Sequence, residues 1–168
     1  EVGYVPNFTA RNLQLNKTFT IGVVVPDIAN SFFSYAIHGI MDAASRHNYQ
    51  IILTASRESA DIEKKNIMNL LSMRVDGLLV AVSRETSDGS IFNTVKKQRI
   101  PLVFFDRTIQ NIGFSSVGID DRKAAESLVD FIISNGYTKI GHIAGSRNVN
   151  IGKYRYKGFL DAMKKHSI

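Results

Sequence analysis

A unit of apolar strand followed by amphipathic helix recurs along this chain and constrains its fold more than any other feature. Runs rich in Val, Ile, Leu and Phe predict strands at 19–25, 50–55, 77–82, 101–105, 116–119 and 139–144. Apolar residues at helical spacing predict helices at 31–47, 61–73, 90–97, 122–135 and 152–166. Nearly continuous apolar strands that alternate with helices indicate a parallel sheet covered on both faces. The predicted fold class is therefore a doubly wound parallel α/β sheet.

The composition is typical of a folded globular protein and excludes several kinds of site. Hydrophobic residues make up 44% of the 168 residues and charged residues 21%, so the chain can build a core. It has no cysteine, which excludes disulfides, thiolate zinc sites, cysteine nucleophiles and iron–sulfur clusters, and which suits a reducing cytoplasm. No run of about 18 apolar residues occurs, so no membrane segment is predicted.

Most of the net charge of +6 lies at the end of the chain. From residue 147 onward the sequence has one anionic residue, Asp161, and six cationic residues: Arg147, Lys153, Arg155, Lys157, Lys164 and Lys165. Lys and Arg on a helix at a chain end are typical of a solvated face. The basic charge by itself is therefore weak support for binding to nucleic acid.

Polar and charged side chains follow every predicted strand. These segments are Pro26-Asp27, Ser56-Arg57, Ser83-Arg84, Asp106-Arg107, Asp120-Asp121 and Ser146-Arg147-Asn148. In doubly wound sheets, ligands bind outside the carboxyl ends of the strands. Ser and Asp at such places also cap helices, and we expect Ser31 and Asp121 to act partly as caps. The repeated Asp and Arg indicate a small ligand rich in hydroxyl groups or acceptors.

Two adjacent aromatic residues, Phe32 and Phe33, open the first predicted helix beneath these polar segments. Phe33 shares a helix face with Ile37 and Ile40, so its ring is expected in the core. The ring of Phe32 is then expected to point toward the loops, where it could stack on a sugar ring or a base. Simple packing of both rings is the alternative.

Motifs of the common enzyme classes are absent from the sequence. It contains no G-x-G-x-x-G, no G-x-x-x-x-G-K-[ST] and no G-x-S-x-G. Asp120 and Asp121 have no partner acid or base, and adjacent side chains point in different directions. Four histidines lack the spacing of a metal site: His38, His47, His142 and His166. The sequence thus predicts no catalytic residue, no cofactor and no metal, and a protein that is not an enzyme.

The beginning of the chain contains a short polar segment, YVPNFTARNLQLNKT. Pro6 suits the first turn of a helix, and a helix is predicted at 7–15. Isolated helices shorter than about 12 residues are marginal in water. Something outside this chain is therefore expected to hold the helix in place.

Ordered segments from Gly3 to about Ile168 together resemble the LacI/GalR family of bacterial transcription regulators. They are GYVPNFTARNLQLNKTFTIGVVVPDIANSFF, RVDGLLVAVS, IPLVFFDR, VGIDD, GYTKIGHIAG and RYKGF. The resemblance implies a truncated core of the type I periplasmic-binding-protein-like class. It implies residues 1–17 as a hinge helix and linker to a helix-turn-helix headpiece, which would precede Glu1. Residues 18–120 would be an N-terminal α/β effector subdomain and 121–168 the incomplete start of a C-terminal α/β subdomain.

The resemblance also implies a regulatory mechanism. A small-molecule effector, a sugar or related metabolite, would bind in the cleft between the subdomains. Its binding would change the affinity of a cytoplasmic homodimer for operator DNA. The implied effector-binding residues are Phe32, Phe33, Arg107, Asp121 and Arg155.

The hinge helix carries the DNA-binding residues that the resemblance implies. Leu13 would enter the minor groove at the operator centre and kink a base step beside its dimer mate. Ala10, one turn earlier, is small enough to let the helix approach the groove. The remaining positions would reach phosphates or base edges: Arg11, Asn12 and Gln14.

Residues 121–168 would hold one strand and two helices, which is too little to cover the apolar faces of those helices. Such faces include Leu128, Ile132 and Phe159. The chain is therefore expected to be a fragment of a longer regulator, or a truncated reading frame that folds poorly alone.

Two other functions and one structural alternative stay open. A periplasmic sugar-binding protein would share the core but lack the hinge at 6–15. A small-molecule enzyme on a similar sheet would need a phosphate loop or an acid–base pair. A dimer face would lie on the first helix and on 61–73; alternatively, the apolar residues of 61–73 are core: Ile62, Ile67, Leu70 and Leu71.

Overall fold

The computed structural model describes residues 17–168, and within them strands and helices alternate through most of the chain. The elements are β1 Thr20–Val25, α1 Ser31–Arg46, β2 Gln50–Ala55, α2 Ala60–Ser72, β3 Gly77–Val80, α3 Ser90–Lys97, β4 Leu102–Phe105, β5 Ser115–Val117, α4 Asp121–Ser134 and α5 Asn150–Lys165. The predicted hinge helix at 7–15 lies outside the described residues. No helix in the described part has the length and hydropathy needed to cross a membrane.

The five strands form one parallel sheet in the order β2-β1-β3-β4-β5. Val23 of β1 lies opposite Leu53 of β2 on one side and Leu79 of β3 on the other. Strand order therefore reverses between β1 and β3, and the loops that follow these two strands diverge. A crevice opens at their carboxyl ends, where such sheets bind ligands. The predicted doubly wound α/β class is confirmed.

Helices on both faces of the sheet divide the core into two layers. On one face, α2 and α3 bury Ile67 and Phe92 in a cluster with Val24 of β1. On the opposite face, α1 buries Phe33 in a second cluster with Val23. Neighbouring residues of β1 serve different layers because side chains alternate along a strand. Each of these large apolar side chains stabilises the fold by about 1.5–3 kcal/mol when fully buried.

The apolar residues of α2 are mainly core, in agreement with the structural alternative. Ile67, Leu70 and Leu71 are buried, whereas Ile62 is 38% exposed. Most of the apolar stripe on α2 is therefore engaged with the sheet.

The helix caps lie one residue before the predicted ones. Asn30, rather than Ser31, caps α1, because its side-chain oxygen accepts a hydrogen bond from the Phe32 backbone N–H at 3.0 Å. Asp120, rather than Asp121, caps α4 by accepting from the Lys123 backbone N–H at 3.0 Å. Ser31 and Asp121 are the first residues of their helices. The side chain of Asp121 is thereby left for another contact.

The predicted strand at 139–144 is wrong. Residues 139–145 make no backbone hydrogen bond to any other described residue, and a strand requires a neighbour that pairs with its backbone. The apolar alternation is present, but no strand of the described part lies beside it. Ile143 is fully exposed, and His142 stacks on Phe159 with ring centroids 4.9 Å apart.

Helices α4 and α5 pack chiefly on each other rather than on the sheet. Gly158 permits the close approach of their backbones, since a Cβ at this position would collide with the carbonyl oxygen of Arg122. Leu128 on the predicted apolar face of α4 remains 61% exposed. Ile132 and Phe159 are only partly exposed. The pair therefore forms a thin second layer beside the sheet.

Candidate functional site

A cleft of about 550 Å³ opens at the carboxyl ends of the strands, and we call it the strand-end cleft. Its volume falls in the range of about 300–1,000 Å³ typical of small-molecule sites. Its walls are formed by the loops after β2, β3 and β4, the first turn of α1, the segment 142–149 and the start of α5. Its polar and aromatic lining includes Asn30, Phe32, Phe33, Glu58, Arg84, Asp106, Arg107, His142 and Arg155. Four of the five predicted effector residues therefore meet in one cleft.

The fifth predicted residue, Asp121, borders a neighbouring pocket of about 340 Å³ and contacts the strand-end cleft through Arg155. The Arg155 Nε donates a hydrogen bond to Oδ1 of Asp121 at 2.8 Å, and the Asp121 side chain is only 6% exposed. The other nitrogens of this guanidinium make no hydrogen bond to any residue from 17 to 168. Asp121 thus orients Arg155 and leaves donors available for a ligand.

Arg107 is fixed in the cleft wall by a carboxylate and an aromatic ring. Its Nη1 donates to both carboxylate oxygens of Glu58 at 2.9 Å. The guanidinium carbon also lies 5.6 Å from the centroid of Phe33, within the range of a cation–π contact. Glu58 was missed by sequence reasoning, although it directly follows the polar segment after β2. Its backbone has a φ of 62°, a left-handed conformation that no sequence pattern signals.

Asp106 is a second cleft residue that the prediction passed over in favour of its neighbour Arg107. It follows β4 with a φ of 59°, an uncommon conformation for a residue with a side chain. Burial raises the pKa of Asp106, Arg107 opposes that shift, and the nearby charge of Asp121 adds to it. The closest cation is the Arg107 Nε at 4.0 Å, beyond hydrogen-bond distance. Asp106 therefore presents a free acceptor to the cleft.

The two aromatic residues at the start of α1 lie in different environments, as predicted: one ring is in the core and the other points toward the loops. Phe33 is 2% exposed in the core, whereas Phe32 is 53% exposed and lines the cleft. Their ring centroids lie 5.4 Å apart in an edge-on arrangement. The core ring thus supports the exposed ring, which supplies the flat apolar surface of the site.

A buried carboxylate holds the loop after β3, which forms one side of the cleft. Oε2 of Glu63 accepts from the Ser83 backbone N–H at 2.5 Å, and Oε1 accepts from the Thr86 hydroxyl at 2.8 Å. The hydroxyls of Ser83 and Thr86 lie 2.7 Å apart. Burial raises the pKa of Glu63, and the nearby charge of Glu58 adds to this, while both hydrogen bonds oppose it. On sequence alone Glu63 looks like an ordinary solvated helix residue.

The predicted DNA-binding residues cannot be placed in the site, because Ala10, Arg11, Asn12, Leu13 and Gln14 lie outside the described residues. Within the described part, no three His, Asp or Glu side chains are grouped so that they could hold a metal ion.

A parallel sheet joined to a helix pair across a ligand-sized cleft at the strand ends defines a small-molecule binding core of the α/β class. The chain belongs to the family described as periplasmic binding proteins and sugar binding domain of the LacI family, whose profile matches residues 18–168. The resemblance found in the sequence is thereby confirmed.

Named relatives extend this assignment. The chain is 32% identical over 168 residues to the HTH-type transcriptional repressor CytR of Escherichia coli (strain K12), covering 100% of this chain and 49% of that protein. It is similar to the crystal structure of the transcription regulator CcpA of Lactococcus lactis, with a TM-score of 0.79 and 30% identity over 89% of this chain and 54% of that one.

A third relative is described with a bound sugar. It is the periplasmic binding protein/LacI transcriptional regulator from Alkaliphilus metalliredigens QYMF complexed with D-xylulofuranose, with a TM-score of 0.78 and 28% identity over 89% of this chain and 53% of that one. The chain thus spans about half the length of these relatives. They are named as regulators and binding proteins rather than enzymes, in agreement with the expectation from the sequence.

Proposed function

We propose that this chain is the effector-binding core of a cytoplasmic transcription regulator, in which a sugar-like ligand in the strand-end cleft changes the affinity for operator DNA. One observation carries the proposal. Phe32, Phe33, Arg107 and Arg155 come from three separate parts of the chain and meet in one cleft, where Asp121 orients Arg155.

The chemistry of the cleft suits a ligand with a ring and several hydroxyl groups. The exposed ring of Phe32 can stack on the apolar face of a sugar. The Asp106 carboxylate can accept hydroxyl protons, and the unused nitrogens of Arg155 can donate to hydroxyl oxygens. The relative from Alkaliphilus metalliredigens, described with D-xylulofuranose, supports a sugar as the class of ligand.

The position of the cleft suggests how binding would be transmitted. One wall belongs to the region 18–120. The other belongs to the segment 142–149 and to α5, in the region 121–168. We propose these two regions as subdomains. A ligand that contacts both walls would bias their relative orientation. In a homodimer this change would reach the operator through residues 1–17, with Leu13 entering the minor groove as the family resemblance implies.

Calorimetric titration of the purified protein with D-ribose, D-xylulose, D-fructose and D-glucose and their phosphate esters tests the ligand part. We expect at least one compound to bind, and Arg155→Gln to weaken its binding by about tenfold or more through the loss of charged hydrogen bonds. Lys157→Gln is the matched control, because Lys157 lies on the same helix, is exposed and does not line the cleft. We expect it to alter affinity by less than about twofold.

Two results would contradict the ligand part of the proposal. One is the absence of binding by every compound in the set. The other is equal weakening by Arg155→Gln and Lys157→Gln, which would place the bound compound outside the strand-end cleft.

The regulator part is tested by translating, in frame, the DNA that flanks the coding segment for residues 1–168. We expect a helix-turn-helix directly upstream and the remainder of an α/β subdomain downstream. A secretory signal directly before Glu1 would instead support the alternative of a periplasmic sugar-binding protein, which the regulators among the relatives do not favour.

A further inference from the structure

We propose that the effector carries an anionic group, such as the phosphoryl group of a sugar phosphate, and that Arg84 binds this group. This inference rests on the function proposed above and specifies its ligand. The observation behind it is an unequal use of the three guanidinium groups that line the strand-end cleft. Arg107 and Arg155 are each paired with a carboxylate of the protein, whereas Arg84 is not paired with any carboxylate of residues 17–168.

The charge of two of these arginines is already matched. Glu58 receives both hydrogen bonds from the Arg107 Nη1, and Asp121 receives that of the Arg155 Nε. These two arginines can still donate hydrogen bonds, but the positive charge of each is already neutralised by a carboxylate of the protein. They suit hydroxyl oxygens as well as anions.

Arg84 differs because its guanidinium makes no hydrogen bond or ion pair with any residue in the described range 17–168. Its side chain is exposed and lines the same cleft. Glu58, the acid that approaches its backbone, is occupied by Arg107. A bound ligand can therefore supply the negative charge that pairs with Arg84. A phosphoryl group is suited to this role, because its oxygens can accept two hydrogen bonds from one guanidinium.

The backbone of the loop that carries Arg84 is held by hydrogen bonds, so the side chain extends into the cleft from a fixed point. The Arg84 backbone N–H donates to Oε2 of Glu58 at 2.7 Å, and that of Ser83 donates to Glu63 at 2.5 Å. The carboxylates of Glu58, in the segment after β2, and of Glu63, on α2, thus hold two consecutive backbone amides of this loop. Arg57 and Glu58 have φ values of 52° and 62° in the segment that brings the Glu58 carboxylate to this loop, and such left-handed conformations cost energy for residues with a side chain. A loop backbone that is already held does not have to be ordered when the ligand binds, which lowers the cost of binding.

Asp106 indicates that the ligand carries hydroxyl groups as well as an anionic group. The Asp106 carboxylate is a free acceptor in the same cleft and would repel an anion placed directly against it. A ligand that satisfies both groups has hydroxyls at Asp106 and its negative group at Arg84. Inorganic phosphate satisfies only Arg84 and is expected to bind more weakly than a sugar phosphate.

The test compares D-ribose, D-xylulose, D-fructose and D-glucose with the phosphate ester of each, and with inorganic phosphate, by calorimetry at constant ionic strength. For at least one pair we expect the ester to bind the wild-type protein about tenfold or more tightly than its parent sugar. Arg84→Gln should abolish that preference while leaving the affinity for the parent sugar within about twofold. Arg99→Gln, at the opposite end of the sheet before β4, is the matched control and should keep the preference.

The outcomes separate this inference from the proposed function. Equal binding of sugar and ester by the wild-type protein would overturn the role of Arg84 and leave a neutral-sugar effector standing. Equal weakening of sugar and ester by Arg84→Gln would also overturn it, since that is the signature of a general structural role. Binding of neither sugars nor esters would overturn both the inference and the proposed function.

Discussion

The sheet region, residues 20–117, and the helix pair, residues 121–165, differ sharply in how they bury their apolar side chains. In the sheet region, large residues such as Phe92 and Phe104 are at most 1% exposed. In the helix pair, Leu128 and Phe131 are 61% and 67% exposed. A sheet covered on both faces encloses a core, whereas two helices that pack on each other cannot.

Different interactions hold the two regions together. The sheet region rests on burial and on a ladder of strand hydrogen bonds. The helix pair relies on the close backbone contact at Gly158 and on ion pairs between exposed groups, such as Lys165 with Asp130 at 2.7 Å. Ion pairs between exposed groups contribute little to stability, because water and salt screen them. Within residues 17–168 the strand-end cleft therefore has one firm wall, built on an enclosed core, and one compliant wall, built on the helix pair.

The largest effect should come from the aromatic core of the sheet region. Phe104→Ala removes a ring that packs edge-on against Phe92 at 4.9 Å, and we expect it to lower the free energy of unfolding by about 3–5 kcal/mol. Phe131→Ala, the same change on the exposed face of α4, should alter it by less than about 0.5 kcal/mol. Urea denaturation followed by circular dichroism measures both. Similar losses of stability in the two variants would contradict the claim that the sheet region buries its aromatic side chains and the helix pair does not.

A smaller effect is expected where α4 and α5 meet. Gly158→Ala places a Cβ against the carbonyl oxygen of Arg122, and the strain should cost about 1–3 kcal/mol. Hydrogen exchange followed by mass spectrometry should show faster exchange in α4 and α5 with β1 and β3 unchanged. Gly39→Ala is the matched control, because a Cβ added at Gly39 in α1 would have no atom within 4 Å. We expect that change to be neutral or to stabilise the helix by up to about 1 kcal/mol. Accelerated exchange in the sheet of Gly158→Ala would show that the two regions unfold together.

The smallest effect concerns the buried carboxylate of the sheet region. Because the native pKa of Glu63 lies above its ordinary value of 4.5, the native state holds this proton more tightly than the unfolded state. The contribution of Glu63 to stability is therefore full below pH 4.5 and declines as the pH rises through the native pKa, by at most about 1.4 kcal/mol per pH unit.

Urea denaturation at several pH values from 4.5 upward measures this decline as the stability difference between the wild type and Glu63→Gln. As the pH rises, the wild type should lose stability relative to Glu63→Gln. Glu85→Gln, an exposed change on the same loop, should stay within about 0.5 kcal/mol of the wild type throughout. A difference that is constant with pH, or that favours the wild type at higher pH, would contradict the cause assigned to the raised pKa.

The sheet was predictable because its signal is local and repeated. An apolar run such as 50–55 becomes β2 with unchanged bounds. The run at 139–144 carries the same signal, but it fails because pairing depends on a neighbour rather than on the run itself. Sequence pattern therefore indicates which segments can form strands, and the presence of a partner decides which of them do.

The candidate site was predictable where residue type and position after a strand sufficed, as with Arg107. Glu58 was missed because its role depends on a left-handed backbone conformation that is not written in the residue type. Asp106 was recognised only as part of the polar segment after β4 and was not predicted among the effector-binding residues. Glu63 was missed because it is a charged residue on an amphipathic helix, and only the loop above it makes it buried. The groups that hold a cleft loop in place, such as Glu58 and Glu63, are thus harder to predict than polar residues that directly follow a strand.

Hydrogen exchange of the purified protein, with and without whichever sugar or sugar phosphate binds, tests most directly the claim that the cleft joins a firm wall to a compliant one. Without ligand we expect amides of β1, β3 and β4 to exchange slowly and those of α4 and α5 much faster. Ligand should slow exchange in α4 and α5 and leave β1 unchanged. Equal exchange in the two regions without ligand, or protection by ligand confined to the sheet, would contradict the account.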